Sequence, residues 1–263
     1  MSHRTLTIRI GDINISFDCP SLRWETLIKT HYNTFIVENG CRAIPVAIGG
    51  TFRPVSRVPD AELSAVDGGW RIRRSDFVSF TDKSFRGTTL SSALNRYSFN
   101  SWLRVFMTLL LARRGGILLH SAGISHNGHI LLFGGVSGSG KSTITRILGK
   151  NIALSDELTL IYRSNGALRG ASTPFWGELK KDCGQRFDGP LKGIYFISRG
   201  ERLAAQKMTT AAAVKRILAC TLFFSREPAH VNKLLETAEK AARDVAVYSL
   251  KFSLKTTREE ILK

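Results

Sequence analysis

Ile130–Leu148 reads ILLFGGVSGSGKSTITRIL, and this stretch decides the reading of the fold. Gly135-Val-Ser-Gly-Ser-Gly140-Lys141-Ser142 satisfies the Walker A pattern of a phosphate-binding loop. Glycines let such a backbone curl with its N–H groups facing inward, while the helix that follows directs its positive end at the anion. Lys141 is expected to reach the β- and γ-phosphates, and Ser142 to hold Mg²⁺ through its hydroxyl. The predicted nucleotide-binding set is Gly135, Ser137, Gly138, Ser139, Gly140, Lys141, Ser142 and Thr143. Both flanks agree, because Ile130-Leu-Leu-Phe133 reads as a buried strand and Ser142–Leu148 as the start of a helix. The rival reading, a glycine-rich turn without a ligand, gives no reason for both flanks.

Upstream, Trp102, Leu103, Val105, Phe106, Leu109 and Leu110 recur at helical spacing. Arg113-Arg-Gly-Gly116 closes that run with basic residues at the negative helix end and a glycine stop. The first ninety residues read mainly as short strands. Leu6–Ile10 and Ile13–Phe17 alternate around Gly11-Asp12 as a hairpin, a helix is predicted near Leu22–His31, and strands near 34–37, 43–48, 70–73 and 77–80. Beyond the loop, 152–154, 158–162, 191–198 and 247–254 read as strands and 209–224, 231–245 and 256–263 as helices. The change of pattern sets the expected division: a β-rich N-terminal domain over 1–95, a candidate for binding substrate, and an α/β P-loop nucleotide-binding domain over 96–263.

Hydrophobic residues at 43% and charged residues at 22% exclude large-scale disorder. The net charge of +17 favours anionic partners, whether nucleotide phosphates, an acidic peptide or protein, nucleic acid or an anionic surface. Lys and Arg are spread along the chain, so a solvated basic surface explains the charge equally well, and no nucleic-acid-binding signature is present. Cys19, Cys41, Cys183 and Cys220 form no C-x-x-C pair, which excludes a zinc or redox motif and leaves reduced thiols in a cytoplasmic protein as the simplest reading. No signal-peptide core opens the chain, and Val105–Ala112 is too short to span a bilayer, so no membrane span is expected.

Phosphoryl transfer needs carboxylates to complete the Mg²⁺ shell and to accept a proton. Asp156 and Glu157 follow the short apolar run Ile152–Leu154 and can return beside the phosphates; an acidic turn or a helix cap is the alternative. His120 is expected to end the strand Ile117–Leu119, and a hairpin through His126-Asn-Gly128 would bring it near the loop-side end of the neighbouring strand. Lys180, Lys181 and Arg186 sit in the Gly- and Pro-bounded segment 177–190, either a loop over the site or a solvated surface. Phe175 and Trp176 are expected in the core.

Taken together, Leu118-Leu-His120-Ser-Ala-Gly-Ile124, the strand, the loop and the acidic pair resemble the catalytic core of HPr kinase/phosphorylase and, more distantly, of ATP-dependent phosphoenolpyruvate carboxykinase. The resemblance covers Gly116–Ile161 and implies an α/β P-loop kinase core of that type beside a β-rich N-terminal domain. It further implies Mg-ATP-dependent phosphoryl transfer to a serine of a peptide or small protein. Asp156 would be the general base, His120 its support, Lys141 the phosphate cation, and Ser142 and Glu157 the metal ligands. ATP and Mg²⁺ are the implied cofactors, an acidic peptide or small protein the implied partner, and a homo-oligomer the implied assembly. Glu157 stands where that family has a second Asp, and Thr143 where the bacterial kinases commonly carry a Glu. The family's downstream signature is not recognisable around Gln185–Gly193, which argues against phosphorolysis. A non-catalytic nucleotide-gated binding module and an ATPase with a polyanionic partner are the rival functions.

Overall fold

The structure, a computed structural model, describes residues 4–38, 42–50, 52, 60–136, 138–177 and 186–263. The chain divides into two compact units: residues 1–110 with 223–228, and residues 111–222 with 229–263.

The first unit contains β1 (Arg4–Ile10), β2 (Ile13–Cys19), α1 (Leu22–Tyr32), β3 (Ile36–Val37), β4 (Ile44–Gly49), β5 (Glu62–Val66), β6 (Gly69–Arg74), β7 (Phe77–Asp82), β8 (Thr88–Ser92) and most of α2 (Arg96–Arg114). Among the described residues, its strands form one sheet in the order β3-β1-β2-β4-β8-β7-β6-β5. The β1–β2 hairpin predicted from alternation is present, with Ile10 opposite Ile13 and Gly11 at φ 59° in the tight turn between them. Aromatic side chains fill the core: Phe99 of α2 meets Phe17 of β2 edge-on at 5.2 Å and Tyr32 of α1 at 5.4 Å, while Trp102 stacks on Phe106 at 5.0 Å.

The second unit contains β9 (Ile117–His126), β10 (His129–Gly134), α3 (Lys141–Leu148), β11 (Ala153–Ser155), β12 (Leu158–Ser164), β13 (Ala167–Ala171), β14 (Asp188–Arg199), β15 (Ala204–Lys207), α4 (Thr210–Ala219), β16 (Thr221–Leu222), all but the first residue of α5 (Pro228–Asp244), β17 (Ala246–Phe252) and α6 (Arg258–Leu262). The nine-stranded sheet runs β10-β9-β12-β13-β14-β17-β15, with β11 and β16 also on β9, and β10 paired in addition with β14. β10 therefore has both edges bonded, antiparallel to β9 and parallel to β14. Its faces are covered too. Ile130 and Leu132 enter one core with Ala213 and Ile217 of α4 and Ala238 and Ala241 of α5, while Leu131 and Phe133 enter another with Ile144 and Leu148 of α3. This double burial explains why the strand reads as an unbroken apolar run rather than an alternation.

The architecture corrects the expected fold class. In place of an α/β P-loop kinase core of the HPr kinase/phosphoenolpyruvate carboxykinase type, the chain is mixed and sheet-rich, with 42% of its described residues in strands and 32% in helices, and two large sheets. Antiparallel hairpins β9–β10 and β12–β13 stand where an α/β alternation would place helical crossovers. The helix expected over 209–224 stops at Ala219, because Thr221 and Leu222 pair with Leu119 and Leu118 of β9.

Candidate functional site

One strand position joins the elements the sequence singled out. The His120 carbonyl accepts from Gly135 N–H at 3.4 Å, its N–H donates to Cys220 O at 2.6 Å, and the adjoining Ser121 N–H donates to Glu157 O at 3.0 Å. In the ladders, Ser121 faces Gly134 on one side of β9 and His120 faces Leu158 on the other. β9 thus ties together the start of the glycine loop, the acidic bend and the end of α4.

The loop closes by a turn in which Ser139 N–H donates to Val136 O at 3.2 Å. Gly138 and Gly140 have φ of 78° and 103°, conformations that side chains resist. Lys141 is buried with its ammonium inside the curl, donating to Gly135 O at 2.9 Å and Val136 O at 3.1 Å. The Ser139 hydroxyl is buried with no hydrogen-bond partner among the described residues and faces Gly135, where a Cβ would stand 2.4 Å from it. Gly140 caps α3 without a side chain, and the first turn holds no acidic residue. The N–H groups and positive dipole end of α3 therefore receive no compensation from their own helix. Ser142 and Thr143 lie half-buried in that first turn. Ser137 lies outside the described residues, as do Cys41, Lys180, Lys181 and Cys183.

Asp156 and Glu157 occupy the bend between β11 and β12, not a helix cap. The Ser155 hydroxyl fixes this bend: it donates to Phe175 O at 2.9 Å and accepts from the N–H groups of Glu157 and Leu158, each at 3.2 Å. Asp156 is buried, and its Oδ1 accepts from Gly177 N–H at 2.8 Å. Phe175 is fully buried and Trp176 packs against the core beside α3, as expected. Glu157 is half-buried and Arg186 exposed. Among the described residues no group of three His, Cys, Asp or Glu side chains could hold a metal unaided.

Arg216 is the cation that sequence reasoning missed. Its guanidinium lies 5.3 Å from the centre of the Phe196 ring, the same ring that a Cβ on Gly134 would strike at 2.9 Å. Burial pushes the Cys220 thiol up, and the charges of Arg216 and Lys141 oppose that shift, so both cations act on one point beside His120. Only the helical spacing of Arg216 to Cys220 could have signalled this.

The fold and the loop define a two-unit, sheet-rich protein with a glycine-rich loop at a strand–helix junction. The family model for the SynChlorMet cassette protein ScmC matches residues 98–261, more than half of the sequence, and the chain belongs to that family. No curated protein matches the chain. The assignment to HPr kinase-like proteins is thereby corrected, because the matching family is ScmC and not an HPr kinase. The resemblance rested on the loop, one histidine and two carboxylates within Gly116–Ile161, a local likeness that does not by itself define a family. Among the described residues no helix is long and apolar enough to cross a membrane; the run Val105–Ala112 lies within α2 and is buried.

Proposed function

We propose that this chain transfers a phosphoryl group from Mg-ATP to the hydroxyl of a serine in a peptide or small protein. The observation that carries this reading is the double bonding of β9, with His120 O on Gly135 N–H and Ser121 N–H on Glu157 O, which ties a carboxylate pair to the mouth of an uncapped glycine loop. The acceptor proton passes to the Asp156 carboxylate while the acceptor oxygen bonds to the γ-phosphorus. The bond from that phosphorus to the β,γ-bridging oxygen breaks, and ADP leaves. His120 supports the charge and orientation of Asp156. Lys141 and the N–H groups of α3 offset charge on the transferred group, and such fixed dipoles need no reorganisation during the step. Mg²⁺ offsets phosphate charge when bound; Ser142 and Glu157 would hold it. One or two protein oxygens with substrate phosphates suffice for Mg²⁺. The net charge of +17 favours an acidic acceptor.

The test is transfer of γ-labelled phosphate from Mg-ATP into size-resolved components of the source cell's extract, comparing wild type with Asp156→Asn. Label entering a peptide or protein only with the wild type supports the reading. Equal label with the variant removes Asp156 from the step. Tight nucleotide retention by both proteins without any transfer replaces the enzyme with a nucleotide-gated binding module.

A further inference from the structure

Beside the glycine loop lies a cavity of about 520 Å³ that none of the proposed chemistry uses. Gly140 and Thr143 form its loop side, Phe252 its floor, and Arg199, Leu254 and Lys255 its rim. The Phe252 ring is buried against Gly140, where a Cβ would meet it at 2.8 Å. Leu254 is 85% exposed, an apolar side chain standing in water at the edge of an apolar floor. The walls are braced: Gly200 N–H donates to Phe252 O at 2.8 Å, and the Thr256 hydroxyl accepts from Ser253 N–H at 3.0 Å.

The loop has two distinguishable ends. Its start carries the Lys141 ammonium, on Gly135 O and Val136 O, and is bonded through His120 to the strand that holds the acidic bend. A lysine in this motif serves the outer phosphates, so the terminal phosphate belongs at that end. A chain of phosphates laid along the curl then has its innermost phosphate at the Gly140 and Thr143 end, where the cavity opens. Resting on the proposed phosphate loop, we infer that this cavity receives the nucleoside, base and ribose, of the bound nucleotide. Its size falls within the range of small-molecule sites, and its apolar floor with a charged rim suits a flat heteroaromatic ring with polar edges. The Arg199 guanidinium can stack on such a ring, and Leu254 can cover its other face.

The experiment is titration calorimetry of wild type and the double variant Arg199→Ser/Leu254→Ser with ADP, ATP and inorganic tripolyphosphate, each with Mg²⁺. Both substituted side chains are exposed, and thermal unfolding checks that the fold is retained. The wild type should prefer ATP over tripolyphosphate by about tenfold or more, the scale of one stacking contact, and the double variant should lose that preference while keeping its tripolyphosphate affinity. Equal wild-type affinity for ATP and tripolyphosphate, or an undiminished preference in the variant, overturns the nucleoside cavity while leaving the phosphate loop standing. No binding of any of the three by the wild type overturns the phosphate loop, and the cavity assignment with it.

Discussion

Gly140→Ala tests the loop at its most constrained point. At φ 103° the residue lies where an L side chain costs about 1–3 kcal/mol of backbone strain. The new Cβ would also stand 2.8 Å from the Phe252 ring, which is only 3% exposed and so cannot swing into solvent. Displacing a packed ring adds about 1–3 kcal/mol, giving roughly 2–6 kcal/mol in all. Gly128→Ala is the internal control, since Gly128 has a φ of 76° but nothing within 4 Å of the added carbon. It should lose only the strain, about 1–2 kcal/mol. Urea unfolding of the three proteins at one pH reads both quantities, and the difference between the variants isolates the close approach to Phe252. Gly140→Ala no less stable than Gly128→Ala would refute the close-approach argument and, with it, the account of why the loop ends in glycine.

Asp76→Asn should cost about 3–5 kcal/mol near pH 7, because it strands the buried Arg74 guanidinium that bonds both carboxylate oxygens at 2.7 and 2.9 Å. Burial raises the Asp76 carboxyl, but bonds from Arg74 and Ser98 outweigh it and leave it below its ordinary value. Its stabilisation is therefore complete above the ordinary carboxylate range and lost as pH falls through the lowered value, so the variant's acid unfolding limb should be shallower than the wild type's. At the alkaline end, burial first, then Glu25 and Asp18, push the Cys19 thiol up from 9.0 to about 11. The unfolded chain ionises this thiol first, so its contribution is full below pH 9.0 and falls toward pH 11, by at most about 3 kcal/mol. Cys19→Ala should flatten that part of a stability–pH curve, and an unchanged slope would assign it to other groups. Ser155→Ala removes the hydroxyl that fixes the acidic bend and should cost about 1–3 kcal/mol. It should lower phosphoryl transfer while calorimetry finds nucleotide affinity unchanged; a parallel loss of both would mean that the bend supports the loop as well.

Individual elements were more legible than their assembly. The strand of Ile130–Gly134 could be read because both faces and both edges are buried, and α2 because its apolar stripe repeats over nineteen residues. β5 and β15 could not, since Ser64 and Ala65 of β5 and all of Ala204–Lys207 are exposed and carry no alternation. β16 lay hidden in a helical run because pairing with β9, not local preference, straightens it. His120 was expected at the end of a strand but lies within the ten-residue β9, and the common dependence of His120, the acidic bend and the loop on β9 emerges only from register. Arg216 was invisible, because its place beside Phe196 and Cys220 depends on how α4 packs on the sheet.

The six residues Phe223–Pro228 group with the first unit although both their flanks belong to the second. Glu227 accepts from the buried indole N–H of Trp70 across a sequence separation of 157 residues, and Phe223, Phe224 and Pro228 line the same cavity as Trp70. During synthesis the N-terminal unit therefore cannot complete itself when its own first 110 residues have emerged. It must wait, with that cavity one wall short, until residue 228 clears the ribosome, so neither unit corresponds to a continuous stretch of gene that could be borrowed or expressed alone.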